Sequence, residues 1–298
     1  AQAQTPQAQG ANTRTGPLAG RTFRAFIRMA AGATVQQVRM YGLRDTMIAI
    51  RTEATQCCYT ITNQALGTGQ MKALTSAQVA ALGSDQFAVL STAQVHALTS
   101  SQLAALTTDQ IHAATTDHLR ALDVKQVAAL TTAVLAELTS AQLGAFTSKQ
   151  LSGFTTTQIP AFAANALPGI DTAAIKGLQS AQLVALTTAQ VAALTTDQVQ
   201  ALTNRQVSAF ETTDLNVLTS EQIIALTSGQ VAALTTAQVS HLATTQLAAI
   251  ETADVQALKT AQLASLTTDQ ITGFGTEQVA SLLTSQMVGI GTAQLASM

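Results

Sequence analysis

Tryptophan is absent, and two tyrosines and eight phenylalanines bring aromatic residues to only 3% of the 298 positions. Aromatic side chains supply the largest buried areas, so their scarcity argues against a thick globular core. Charged residues are scarce as well, at 10%, while apolar residues reach 47% and are mostly small aliphatics. Disorder needs the opposite balance, few apolar groups and many charges. An ordered, thin and repetitive chain is the expectation. No run approaches the roughly 18 to 20 consecutive apolar residues of a membrane-spanning helix. The first ten residues, AQAQTPQAQG, lack the basic stretch and apolar stretch of a signal peptide, although a mature chain after signal removal would begin this way. The only cysteines, Cys57 and Cys58, are adjacent, which fits neither a zinc spacing nor a disulfide framework. Buried thiols, a vicinal disulfide and a link between chains are all open readings.

Motifs that carry chemistry are missing too. The four histidines, His96, His112, His118 and His241, form no H-x-x-x-H or H-E-x-x-H pair, so they read as solvent-facing variation rather than metal or haem ligands. Hydroxyl residues abound without a paired base, and no Gly-rich phosphate loop occurs. No catalytic residue, cofactor or metal is expected, and the chain does not read as an enzyme.

What is present is a period of eight that begins at Leu66 and runs without insertion through 29 octads. Written from its leading residue the pattern is L-T-T-x-Q-V-x-A, as in Leu186-Thr187-Thr188-Ala189-Gln190-Val191-Ala192-Ala193. Position six is always apolar, and position eight is Ala, Gly or Ser in 25 octads, the exceptions being Val89, Glu137, Val217 and His241. Positions one and six have opposite parity, which rules out one face of a strand. One continuous helix fails as well, because eight residues make about 2.2 turns and the apolar stripe would rotate with every repeat. One short helix per octad survives. Thr187 with Gln190, and Thr195 with Gln198, carry the capping-box spacing in which side chains satisfy the free amides at a helix start. The cap is uncertain by one residue, since position three is Ser or Thr in 26 octads while position two tolerates Gly83, Glu211 and Lys259. Helices this short are unstable alone and must stack on neighbours. The fold class predicted is therefore mainly α, an α-solenoid of 29 octapeptide repeats over residues 66–298, stabilised by nearest-neighbour contacts. Two octads per coil, with layers about 10 Å apart, would give a body on the order of 150 Å long.

A slower period overlies the octads. Gln at position five gives way to Val134, Ala174, Asp214 and Asp254, 40 residues apart, and segments such as FETTDL and IETADV resemble one another. Duplication of a 40-residue block and a recurring structural environment explain this equally. Regularity is weakest around Pro160, Pro168 and Gly169, where Gln is also missing at Ala166, so a bend near 160–176 is expected.

The first 65 residues differ in kind. Residues 1–20 read as a flexible polar arm. Residues 21–65 alternate β-branched and polar positions over Thr22–Met29, Val35–Tyr41, Thr46–Thr52 and Cys57–Thr62, which predicts a small β-rich head of three or four strands, or an amphipathic helix in place of the middle two. Through residue 65, seven arginines face two acids, a net of plus five; the remainder has seven bases and fourteen acids, a net of minus seven. The aromatic-flanked arginines match no nucleic-acid-binding motif. Attraction of the basic head to the acidic body of a neighbouring copy accounts for the same charges, with Arg21, Arg24, Arg28, Arg39, Cys57 and Cys58 as candidate assembly residues.

Runs such as LTTAQVAALTTDQVQAL and IETADVQAL resemble the octapeptide repeats of bacterial secreted or surface proteins labelled adhesin-like or haem-utilisation proteins. The resemblance covers residues 66–298 and implies an extracellular or cell-surface location and a structural or adhesive role. The expectation is a self-assembling filament or surface-layer subunit, a homopolymer docking head to tail through the arm and head. The alternative is a monomeric surface adhesin or solenoid scaffold that binds a host or cell-surface ligand.

Overall fold

The computed structural model describes residues 47–52, 55–62 and 66–297. Two strands, β1 (Met47–Thr52) and β2 (Thr55–Thr62), pair antiparallel with Ile48 opposite Ile61 and Ile50 opposite Tyr59, and the register shifts between Ile50 and Thr52. They overlap two of the four segments read above as strands, Thr46–Thr52 and Cys57–Thr62. The arm and the segments Thr22–Met29 and Val35–Tyr41 lie outside the described residues.

From Thr68 onward the chain is a succession of very short helices, 27 α-helical segments and two 3₁₀ segments among the described residues. The α-helices are four to six residues long. The octad explains why each starts and stops. Position two holds extended backbone, as at Thr187 (φ −77°, ψ 155°), and is the N-cap. The Thr187 Oγ1 accepts from the Gln190 amide at 3.2 Å, and the Gln190 Oε1 accepts from the Thr187 amide at 2.9 Å. Both partners of the capping box are therefore engaged. Thr195 and Gln198 repeat the arrangement at 3.1 and 3.0 Å. The next leading residue turns the chain out of the helix: Leu202, Leu234 and Leu242 have ψ near 140°. An extended residue followed by a new cap then restarts the cycle.

Positions one and six point inward and form one continuous apolar cluster from Leu66 to Ile290. Most octads thus remove two apolar side chains from water, each contributing about 1.5–3 kcal/mol, whereas in the last two octads the position-six residues Met287 and Leu295 are exposed. The cap position, the two residues after it and position seven face solvent, as at Thr187, Thr188, Ala189 and Ala192.

Coils are wider than the two octads expected. Helix Ser84–Ala88 packs on Thr108–Ala113, three octads on, and the same step recurs along the chain. Side-chain hydrogen bonds span 28 and 31 residues, so a coil takes about three and a half octads. With layers about 10 Å apart, the body is then on the order of 80 Å long, roughly half the length expected for narrow coils. Position eight sits over position three of the octad three repeats earlier. A Cβ on Gly153 would meet Val124 Cγ1 at 2.6 Å, one on Gly289 would meet Thr260 Cγ2 at 2.5 Å, and one on Gly177 would overlap the Ser148 carbonyl. That close approach is why position eight is small.

The irregular stretch is absorbed within the coil. Ile159–Ala161 and Ala164–Gly169 become 3₁₀ turns, with Pro160 and Pro168 inside them. Phe146, Phe154 and Phe162 take the leading position in three successive octads and stack edge to face with centroids 5.1 Å apart. Coil-to-coil hydrogen bonds continue through this region, from Gln158 to Leu130 and from Gln190 to Phe162.

Candidate functional site: the glutamine ladder and its gaps

The most constrained polar residue is the glutamine at position five, and the capping box uses only half of it. Gln190 is 1% exposed. Its Oε1 serves the cap, while its Nε2 donates to the carbonyls of Ile159 at 2.9 Å and Phe162 at 2.7 Å. Gln198 donates in the same way to Leu167 and Ile170, Gln206 to Ile175 and Leu178, and Gln230 to Val199 and Leu202. One side chain therefore starts its own helix and satisfies the carbonyls at the end of a helix in the previous coil. Those carbonyls are buried, and without a donor each would bear a desolvation cost. The ladder runs one way: later residues donate, earlier ones accept.

His118 is a substitute rung, a correction to its reading as solvent-facing variation. It is 4% exposed, with Nε2 2.7 Å from the Leu90 carbonyl and Nδ1 3.4 Å from the Thr115 amide. A neutral ring with the proton on Nε2 meets both needs, reproducing one of the two inter-coil bonds. The other histidines have separate partners: His96 Nδ1 lies 2.8 Å from the Ala121 carbonyl, His112 pairs with Glu137 at 3.1 Å, and His241 Nδ1 lies 2.8 Å from the Ala237 carbonyl. Among the described residues no group of three or more His, Cys, Asp or Glu is placed to hold a metal ion.

Rungs are missing at Val134, Ala166, Ala174, Asp214 and Asp254. Each gap is treated differently. Val134 is buried and apolar. At Ala166 the coils close up: a Cβ on Gly169 would overlap the Ser140 carbonyl, and one on Gly144 would overlap the Gly169 carbonyl. At Asp254 the carboxylate accepts from the Ser228 hydroxyl at 2.5 Å. At Asp214, which is 3% exposed, burial pushes the carboxyl above its ordinary range, the Glu211 backbone N–H pulls it down, and the Glu211 charge raises it further. At Ala174 an open cavity of about 300 Å³ remains, lined by Phe146, Ser148, Asp171 and Ala174, with Arg120 on its wall.

The proposed assembly residues Arg21, Arg24, Arg28 and Arg39 lie outside the described residues. Cys57 and Cys58 fall on β2, but their side chains lie outside what is described. Thr187 and Thr195 serve as caps, and Gln190 and Gln198 are in addition ladder residues, a second role that local sequence spacing does not reveal. The signal that could have found it is hydrogen-bond accounting: a glutamine that gives Oε1 to a cap still has two amide protons to place.

The ALTTAQ repeat matches this sequence at residues 64–92, 86–116, 167–204, 207–244 and 247–284, more than half of the chain. The chain belongs to the ALTTAQ repeat family. The last three ALTTAQ matches begin 40 residues apart, the spacing of Ala174, Asp214 and Asp254. The family is described by its repeat alone, without an adhesive role. No curated protein matches the sequence. Among the described residues no helix of this ALTTAQ-repeat chain is long and apolar enough to cross a membrane.

Proposed function

We propose that the chain is a structural subunit of a self-assembling extracellular bacterial filament or surface layer, with no catalytic activity of its own. The observation that carries this reading is the polarity of the glutamine ladder: every coil offers carbonyl acceptors forward and amide donors backward. Bonding of that kind has no built-in stopping point, and head-to-tail contacts of one hand build open filaments unless their rotation closes. Large exposed apolar side chains add a second support, since Leu283, Met287, Val288 and Leu295 gather within two octads, with Val288 84% exposed. In this reading residues 21–65 form a basic β-rich head. Together with the arm, that head docks on the acidic body of the next copy through Arg21, Arg24, Arg28 and Arg39, with Cys57 and Cys58 near the contact.

Negative-stain electron microscopy of the full chain at low and high salt tests the proposal. Regular fibres at low salt that shorten or vanish at high salt are expected, because exposed charges are screened beyond about 10 Å at 0.1 M. Isolated short rods at both salts overturn it in favour of a monomeric adhesin or scaffold.

A further inference from the structure

The gap at Ala174 borders a cavity. In an intact rung such as Gln190, the glutamine amide satisfies three backbone groups: the amide of its own cap residue and the carbonyls 28 and 31 positions earlier. At residue 174 those groups are the Asp171 N–H and the carbonyls of Phe146 and Leu143. The Leu143 carbonyl accepts from the Phe146 amide at 3.3 Å. Neither the Asp171 N–H nor the Phe146 carbonyl has a hydrogen-bond partner among the described residues. Phe146 is 1% exposed and Ala174 6% exposed, yet both border the cavity of about 300 Å³. The Phe146 carbonyl, on a buried residue, is the kind of unpaired group that is rare in folded proteins and marks a place where something else completes the bonding, while the Asp171 N–H belongs to an exposed residue at the edge of the cavity.

We infer that this cavity is a receptor for a primary amide, the side chain of a glutamine on another polypeptide. The guest carbonyl accepts from the Asp171 N–H, and the guest NH₂ donates to the Phe146 carbonyl, reproducing the bonds of the absent rung. Arg120 on the cavity wall supplies a further donor for the guest oxygen, and the Asp171 carboxylate and Ser148 hydroxyl supply further acceptors for its NH₂. A carboxylate guest has no proton for the Phe146 carbonyl, and an ammonium guest has no acceptor for the Asp171 N–H. The volume is at the small end for ligand sites, enough for one such side chain and its flanking backbone. Two sources offer this chemistry, the glutamines of a second copy's AQAQTPQAQG segment and those of an unrelated protein. The inference does not depend on the polymer reading.

The test titrates the full chain with N-acetyl-glutamine N-methylamide and with the corresponding glutamate compound, following amide shifts of residues 143–148 and 171–175 by NMR. Saturable shifts at low millimolar concentration are expected for glutamine, with affinity at least about tenfold weaker for glutamate, a difference of about 1.4 kcal/mol. Ala174→Gln places there the glutamine that most octads of this chain carry at position five and fills the cavity. It is expected to melt at or above the parent temperature and to lose the binding at least about tenfold. A peptide of residues 1–10 distinguishes the sources: tighter binding than the capped amino acid assigns the site to a second copy, and equal binding assigns it to another polypeptide. Three results overturn the inference: equal affinity for glutamate, undiminished binding in folded Ala174→Gln, or no shift at about 50 mM ligand.

Discussion

Replacing Gln190 tests whether the ladder holds the coils together, because the structure gives each of its bonds a separate value. The side chain is 1% exposed and makes three hydrogen bonds, one to its cap and two to the preceding coil. At about 1 kcal/mol each, Gln190→Ala forfeits about 3 kcal/mol, and leaving the buried Phe162 carbonyl without a donor raises the loss toward about 4–5 kcal/mol, the Ile159 carbonyl keeping the Phe162 amide. Gln190→Glu separates the two halves of the rung. Its carboxylate still accepts from the Thr187 amide but turns a second oxygen toward the Ile159 and Phe162 carbonyls, which only accept. The protonated form donates to them, so the folded-state pKa of the introduced carboxyl rises above its unfolded value. Stability tied to a raised pKa is fully present below the unfolded value near 4.3 and is lost as pH rises through the folded value. Gln190→Glu should therefore approach the parent at about pH 3.5 and resemble Gln190→Ala at pH 7. Solenoids open locally, so the informative assay is hydrogen exchange by mass spectrometry over 155–200, where about 3 kcal/mol is about a hundredfold loss of protection. A loss below about 1 kcal/mol for Gln190→Ala, or pH-independent behaviour of Gln190→Glu relative to Gln190→Ala, would refute the argument.

Three other outcomes follow from the same geometry. His118→Gln restores the second inter-coil bond, toward the Phe87 carbonyl, and should raise local stability by about 1 kcal/mol in exchange measurements; a loss would show that the ring is preferred for its packing against Phe87 (centroids 6.0 Å apart). Gly177→Ala places a methyl against the Ser148 carbonyl and should cost about 1–3 kcal/mol in thermal melts, whereas an unchanged melting temperature would mean the coils can separate freely there. Asp214 has a raised pKa from burial, so its contribution is greatest below the unfolded carboxylate range and falls as pH rises through the folded value. Asp214→Gln should thus stabilise the chain at pH 7 and flatten that part of the stability–pH curve, and an unaltered curve in denaturant titrations would remove Asp214 as its source.

What can be read from the sequence and what cannot divides along contact distance. The helix per octad, the cap with its glutamine three residues on, and the inward leading and sixth positions depend on neighbours within one repeat, where periodicity and capping chemistry act directly. The number of octads per coil does not. It is set by Gln110 reaching the carbonyls of Val79 and Leu82, and no local pattern encodes a partner 28 or 31 residues away. His118 escapes a sequence reading for the same reason, since its place in the octad marks it as a glutamine substitute only once the second role of glutamine is known. The missing rungs are visible as letters, but letters do not tell that a cavity borders the gap at Ala174. The shared boundary of Phe146 and Ala174 is a property of two adjacent coils.

Because every rung points from a later residue to an earlier coil, the acceptors for an octad are already in place when that octad is made. Gln230 needs nothing beyond residues 199–230 to complete its bonds. The chain can therefore wind itself up as it leaves the ribosome, each octad locking onto a finished surface without waiting for the octads that follow. Growth by accretion of that kind keeps no more than about one coil of apolar sequence exposed at a time, which limits the aggregation that long unpaired segments invite.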